Sequence, residues 1–166
     1  MADNAASHPR TGPVEIREIF PSDLERLYRL DRLCFEEGIA YSRRQLRGFL
    51  SLPTAQGLIV ESRGRLDGFA IGYLSRDGAG HVVTLDVHPR ERRRGVGKIL
   101  LEELLSRLRR GGARRAILEV AEENLGAIAF YETLGFRRRR RLPDYYAPRR
   151  PALEMEKDLR TLHLGP

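Results

Sequence analysis

Within this 166-residue chain, the run best suited to chemistry is Arg92-Arg93-Arg94-Gly95-Val96-Gly97, continued by Lys98. The chemistry it suits is the holding of phosphates. Gly95 and Gly97 let the backbone approach a ligand closely, and a helix opening at this point offers unpaired N–H groups and a positive dipole end. The letters alone decide little, because R-x-x-G-x-G arises by chance in about one in four chains this rich in arginine and glycine. Two other phosphate loops are excluded. Leu100 stands where a dinucleotide G-x-G-x-x-G needs its third glycine, and Ile99 follows Lys98 where a Walker loop needs a hydroxyl.

The flanking elements give the run its meaning. His81 to His88 alternates as a strand and stops at Pro89, which cannot donate to a ladder. Ile99, Leu100, Leu101, Leu104, Leu105 and Leu108 then recur at helical spacing until Gly111-Gly112. The run is therefore a strand-to-helix turn. Earlier in the chain, Val14 to Ile19 alternates as a strand, Ser22-Asp23-Leu24-Glu25 reads as a capping box opening a helix to about Cys34, and Ser42-Arg43-Arg44-Gln45 reads as a second box. Residues 35–41 form the loop between those two helices. Strands at 58–61 and 69–74 complete an antiparallel meander with 81–88. A strand follows at 116–120, then a helix from about Asn124 to Leu134 closed by a left-handed Gly135. Strands at 136–142 and 152–159 finish the chain, joined by a loop holding Tyr145 and Tyr146. The order is β-α-α-β-β-β-α-β-α-β-β. One domain over residues 14–159 is expected, with a disordered lead-in at 1–13 and a tail at 160–166.

Composition narrows the partners. The formal charge is +7, and only Lys98 and Lys157 are lysines, so the cationic character is almost all arginine. Acidic partners are one explanation: a phosphorylated ligand, nucleic acid or a ribosome surface. Genome composition or thermal adaptation explains the excess equally well. The single cysteine, Cys34, rules out an internal disulfide and a cysteine-based zinc cluster. His8, His81, His88 and His163 lack metal-ligand spacing and read as surface or strand-end residues. No metal is expected. With no signal pattern and no membrane-length apolar run, a cytoplasmic protein is expected, without membrane attachment. Arg137 to Arg141 alternates between the faces of a strand and lacks interleaved aromatics, so specific nucleic-acid binding is not expected.

With R-x-x-G-x-G opening the helix after the fourth strand, this order resembles the GNAT superfamily of acyl-CoA N-acyltransferases over Val14 to Leu159. The pieces Leu118-Glu119-Val120, Asn124 and Ala129-Phe130-Tyr131-Glu132-Thr133-Leu134-Gly135-Phe136 are similar to the ribosomal-protein N-terminal alanine acetyltransferases. The resemblance implies a mixed α/β (α+β) GNAT-like fold, a mostly antiparallel sheet of about seven strands flanked by four helices. It implies acetyl-CoA as co-substrate. Leu85, Asp86 and Val87 would meet its pantetheine arm through their backbone groups. Arg92, Arg93, Arg94, Gly95, Val96, Gly97 and Lys98 would take the pyrophosphate, with Asn124 also touching the cofactor. Glu119 would be the general base, acting through water, and Tyr131 the proton donor to the CoA sulfur.

Each role has a plainer competitor. Glu119 could pair with Arg115 as a strand-end carboxylate, Tyr131 could be a core aromatic, and Asn124 could be only a helix N-cap. On the acceptor side, Tyr145 and Tyr146 would clasp a peptide backbone, while Phe35, Glu36 and Tyr41 would face the same groove, Glu36 or Glu37 attracting a cationic amine. The resemblance points to a protein N-terminal α-amine, with a ribosomal protein among the candidate partners and a monomer or weak dimer as the assembly. Missing tryptophan in the loop between the first helices, together with the heavy arginine content, departs from the alanine acetyltransferases. Acetylation of lysine or a small metabolite amine therefore stays open. So does a non-catalytic CoA-sensing or ribosome-associated module.

Overall fold

Seven strands pair into one sheet. They are β1 (Glu15–Glu18), β2 (Ala55–Ser62), β3 (Arg65–Leu74), β4 (Ala79–Val87), β5 (Arg115–Ala121), β6 (Arg137–Ala147) and β7 (Arg150–Asp158), in the spatial order β1-β2-β3-β4-β5-β7-β6. The structure is a computed structural model describing residues 14–160. The expected lead-in at 1–13 and residues 161–166 of the expected tail lie outside the described residues. Every neighbouring pair of strands is antiparallel except β4 with β5. The fold is the mixed α/β arrangement the sequence implies, with four α-helices beside the sheet: α1 (Leu24–Cys34), α2 (Arg43–Leu50), α3 (Val96–Arg110) and α4 (Leu125–Thr133).

Two apolar layers hold the helices on. On one face the leucine stripe of α3 (Leu100, Leu101, Leu104, Leu105, Leu108) packs with Leu58, Val60, Ala70, Val82, Leu118 and Val120. On the other, Leu27, Leu30 and Leu46 from α1 and α2 pack with Ile59, Phe69 and Ile71. β3 is thus covered on both sides, which is why its sequence is nearly continuously apolar.

Two local readings are corrected. Ser22 does not open the first helix: a 3₁₀ turn at Pro21–Asp23 precedes α1, and Asp23 accepts the Phe20 N–H at 2.8 Å. Asp23 is only 4 % exposed and is gripped by both terminal nitrogens of Arg17, at 2.8 and 2.9 Å, so an ion pair from β1 fixes the entry instead of a hydroxyl. The second box does form, with Ser42 Oγ accepting from Gln45 N–H and Gln45 Oε1 accepting from Ser42 N–H. Further on, β6 continues to Ala147, so Tyr145 and Tyr146 stand on a strand and not in a loop. Pro143 and a positive φ of 54° at Asp144 disturb the pairing between Leu142 and Ala147, and that irregularity hides the strand from its sequence.

The arginine run of β6 is largely neutralised. Arg138 pairs with Glu132, Arg139 and Arg140 with Glu154, and Arg141 with Glu122. These side chains form ion pairs of the surface, not a bare cationic face.

Candidate active site

The sheet splits at its one parallel seam. β4 and β5 pair only over Ala79–His81 and Arg115–Ile117, and beyond that β4 leaves β5. A groove of about 810 Å³ opens between them, lined on one side by Val82 to Leu85 and Val87 and on the other by Leu118 to Ala121. Main-chain groups of a strand edge that lacks a neighbour face this space, ready to pair with an extended ligand.

At one end of the groove lies the Arg92–Gly97 turn. Gly95 caps α3 with φ 86°, a left-handed value that a residue with a Cβ adopts at a cost of roughly 1–2 kcal/mol. The first helical bond is made by Ile99 N–H to Gly95 O at 3.0 Å, so the N–H groups of Val96, Gly97 and Lys98 stand ahead of the ladder at the positive end of the helix. A Cβ on Gly97 would lie 3.4 Å from both Phe130 Cζ and Val87 Cγ2, across the floor of the groove. Arg92, Arg93, Gly95, Gly97 and Lys98 line the groove. The turn is a cradle for an anion of diphosphate size, with the cations on its rim.

Three expected cofactor residues turn their side chains elsewhere. Arg94 reaches Glu91 at 3.3 Å, and Glu91, 5 % exposed, is also held by Arg65 at 2.6 Å, so Arg94 braces the turn from behind. Val96, the first residue of α3, points into the apolar core. Asp86 is fully buried toward α1, because Leu85 and Val87 on either side of it face the α3 layer and alternation sends Asp86 the other way. Asn124 caps α4, accepting the Ala127 N–H at 3.1 Å, and still lines the groove.

Where the strands part, a chain of polar groups crosses the sheet. Register explains it: Tyr73 lies opposite His81, His81 lies beside Ile117, and Glu119 is two residues further along β5 on the same face. Glu119 Oε2 sits 2.7 Å from His81 Nε2, and His81 Nδ1 sits 2.9 Å from the Tyr73 hydroxyl. A ring that accepts the Tyr73 hydroxyl at Nδ1 donates from Nε2 to Glu119. Tyr145 stands beside Glu119 as well, and burial followed by the Glu119 charge pushes this phenol up to about 12. Arg115, the plain competitor for Glu119, reaches Asp77 at 2.7 Å instead. The reading of His81 as a surface residue is therefore corrected; its partner lies on a different strand, out of reach of any local pattern.

Tyr131 sits across the groove on α4, its ring packed edge-on against Phe130 and Phe136. Its hydroxyl makes no hydrogen bond to another described residue, and burial, with the Asp86 charge adding to it, holds its ionisation well above the ordinary phenol range. It keeps its proton and points it at no acceptor among the described residues. At the acceptor end, Phe35, Tyr41, Tyr145 and Tyr146 line the groove together. Glu36 stands on the rim, 3.1 Å from Arg150, which also reaches Glu123 at 3.2 Å.

The sequence pattern of the acetyltransferase (GNAT) family matches residues 24–136. The chain belongs to the GNAT family. An N-acetyltransferase of Methanocaldococcus jannaschii, itself uncharacterised, is 30% identical over 143 residues, 86% of this chain and 90% of that protein. The [ribosomal protein bS18]-alanine N-acetyltransferase of Escherichia coli is 37% identical over 87 residues, 52% of this chain and 58% of that enzyme. Among solved structures, Ard1 from Thermoplasma volcanium superposes with a TM-score of 0.80 at 28% identity, covering 87% of this chain and 97% of that one. The Escherichia coli ribosomal-protein-S18-alanine N-acetyltransferase also gives 0.80, at 24% identity over 93% of this chain and 99% of that one, a likeness of fold.

As a GNAT enzyme the protein is an acetyl-CoA-dependent N-acetyltransferase. Its own residues fit that co-substrate. The left-handed Gly95, the N–H groups ahead of the α3 ladder and the cations of the turn suit a pyrophosphate, and the free edge of β4 suits an amide-bearing arm. Among the described residues, no cluster of three or more His, Cys, Asp or Glu side chains could hold a metal ion. No helix among them is long and apolar enough to cross a membrane.

Proposed function

We propose that the protein acetylates the α-amino group of a protein N-terminus, a ribosomal protein being the candidate substrate, in the cytoplasm. The observation that carries this reading is the placement of Glu119 at the fork of β4 and β5, held by His81, beside Tyr145, in a groove that Tyr131 also lines. The thioester supplies the acyl group, and the chain supplies geometry and two proton steps. Glu119, through a water, takes the proton that the amine must lose, and His81 holds the carboxylate in place. The amine nitrogen bonds to the acyl carbon as the carbon–sulfur bond breaks, and Tyr131 passes its proton to the departing sulfur.

An α-amine has a reference pKa of about 7.7 to 8.0 against about 10.4 for lysine, so a carboxylate and water suffice for the first near neutral pH. Tyr145 and Tyr146, edge-to-face at 4.9 Å, offer hydroxyls and a rigid wall to a peptide backbone. Relatives described as an alanine N-acetyltransferase and an N-alpha-acetyltransferase support the same acceptor class. The test is an acetylation screen of short peptides with free or blocked N-termini, with mass spectrometry locating the modified nitrogen. Acetylation of free N-termini is expected. Modification of lysine in blocked peptides, or of small amines alone, would overturn the acceptor assignment, and tight acetyl-CoA binding without turnover would overturn the enzymatic one.

A further inference from the structure

Beneath the groove lies a pair of acids that the chemistry above does not use. Asp31 on α1 and Asp86 on β4 are both 0% exposed. One oxygen of each is accounted for: Asp31 Oδ2 accepts the Tyr41 N–H at 2.6 Å, and Asp86 Oδ1 accepts the Thr84 hydroxyl at 2.5 Å. The other two, Asp31 Oδ1 and Asp86 Oδ2, are buried and meet no N–H or hydroxyl donor. These two carboxyls face one another within hydrogen-bonding reach. Two ionised carboxylates so placed repel each other, and neither can donate; a single proton between them satisfies both oxygens at once.

The surroundings supply no substitute for that proton. The cations facing the pair are Arg32 beside Asp31 and Arg92 beside Asp86. Neither is bonded to a carboxyl: Arg92 donates to the Val87 carbonyl and Arg32 lies over the Tyr28 ring. The remaining titratable groups facing the pair, Cys34, Tyr41 and Tyr131, are weak acids that burial keeps neutral. Burial, set against the hydrogen bond from Tyr41, pushes Asp31 up to about 6, and burial with the Asp31 charge holds Asp86 well above the carboxylate range.

The pair also joins two parts of the site. Asp31 fixes the backbone of Tyr41, whose hydroxyl donates to Val83 O on β4 at 3.3 Å and whose ring lines the acceptor end. Asp86 sits between Leu85 and Val87, the groove-lining residues of β4. We propose that Asp31 and Asp86 share one proton in the working enzyme and so fasten the loop of residues 35–41, the acceptor wall, to the strand that borders the donor. They are positioning residues. Loss of the shared proton places two like charges in contact and drives α1 and the loop away from β4.

The sign of the pH dependence follows. Both folded values lie above the reference of about 3.9, so the pair's contribution to stability is full below that value. It declines as pH rises, first through about 6 for Asp31 and then through the higher value of Asp86. Above the Asp31 step the folded chain holds one proton more than the unfolded chain, and the unfolding constant rises about tenfold per pH unit from this source. Asp86→Asn replaces the shared proton with an amide N–H that does not titrate and flattens that slope.

The decisive experiment is infrared spectroscopy of the full chain carrying isotope-labelled aspartate, near neutral pH and without substrate. A protonated aspartyl carbonyl band is expected in the wild type, absent from Asp86→Asn and shifted in Asp31→Asn, where Asp86 stays buried but an amide replaces its partner carboxyl. A wild-type spectrum with every aspartate ionised overturns the proposal, as does a band that survives Asp86→Asn or stays unshifted in Asp31→Asn. If Asp86→Asn does not fold, the wild type and Asp31→Asn decide. The positioning role rests on the reading of residues 35–41 as the acceptor wall, and it predicts that acceptor KM rises at alkaline pH while kcat holds, a rise lost in Asp86→Asn. The band without that rise overturns the positioning role. Failure of every peptide as acceptor overturns the acceptor reading and leaves the infrared result standing.

Discussion

Replacing Glu119 by glutamine removes one proton-accepting site and little else. The Glu119 side chain is 13% exposed and accepts from His81 Nε2 at 2.7 Å; a glutamine Oε accepts the same bond with nearly the same volume. Folding stability is therefore expected to change by less than about 1 kcal/mol, the scale of one neutral hydrogen bond. Acetyl-CoA affinity should hold, because the turn at Arg92–Gly97 is untouched. Turnover should not. A positioned general base contributes about 10²- to 10⁴-fold, or roughly 3–5 kcal/mol of barrier. The deficit has a pH signature as well. The base is needed to strip an ammonium whose reference pKa is about 7.7 to 8.0, so the ratio of wild-type to variant rates should narrow as pH rises past that range and the amine arrives already free. The assay is thiol release at saturating acetyl-CoA with a free N-terminal peptide, from pH 6 to 9, beside calorimetric acetyl-CoA binding. Turnover within threefold of wild type at pH 7, with binding intact, would refute the assignment.

Other substitutions probe the remaining parts. His81→Ala should lower kcat by about tenfold, and its effect should be much smaller in a Glu119→Gln background, since the two residues act as one unit; additive losses in the double-mutant cycle would separate them. Tyr131→Phe deletes a hydroxyl that bonds no described residue, so thermal stability should hold while kcat falls about 10- to 10²-fold; an unchanged kcat would leave the sulfur's proton to come from water. Gly97→Val should weaken acetyl-CoA binding at least tenfold with kcat at saturation largely kept, because its methyls would extend past a Cβ already 3.4 Å from Phe130 and Val87. Unchanged affinity in a folded variant, read by calorimetry, would remove the turn from the cofactor site.

What the sequence made legible follows the range of the forces involved. The α3 stripe, the Ser42 cap and the left-handed Gly135 are local, set by residues within a turn or two, and each stands where its letters place it. The strand-to-helix turn was legible for the same reason. Asp23 was not, because its partner Arg17 belongs to another element and displaces the expected serine cap. The far end of β6 was hidden by Pro143 and Asp144, residues that mark turns in most settings but here only disturb a ladder held by β7.

The same rule separates the two halves of the site. Phosphate recognition is written in consecutive residues, since one turn and one helix end suffice, and a reader of the chain can find it. Proton handling is assembled across strands. Tyr73, His81 and Glu119 come from β3, β4 and β5 and meet only through register, while Asp31 and Asp86 meet only when α1 packs on β4. A one-residue slip of β4 against β3 would turn His81 and Asp86 to the other face together and dismantle both sets at once. The bulge where the register of that pair shifts, between Ile71 and Gly72, lies between the two. It lets Asp86, opposite Phe69, and His81, opposite Tyr73, face the same way although they stand five positions apart on β4, a spacing that regular alternation would put on opposite faces. The irregularity is thus what places the residue that holds Glu119 and the acid pair on one face, and filling or removing it should cost the enzyme both.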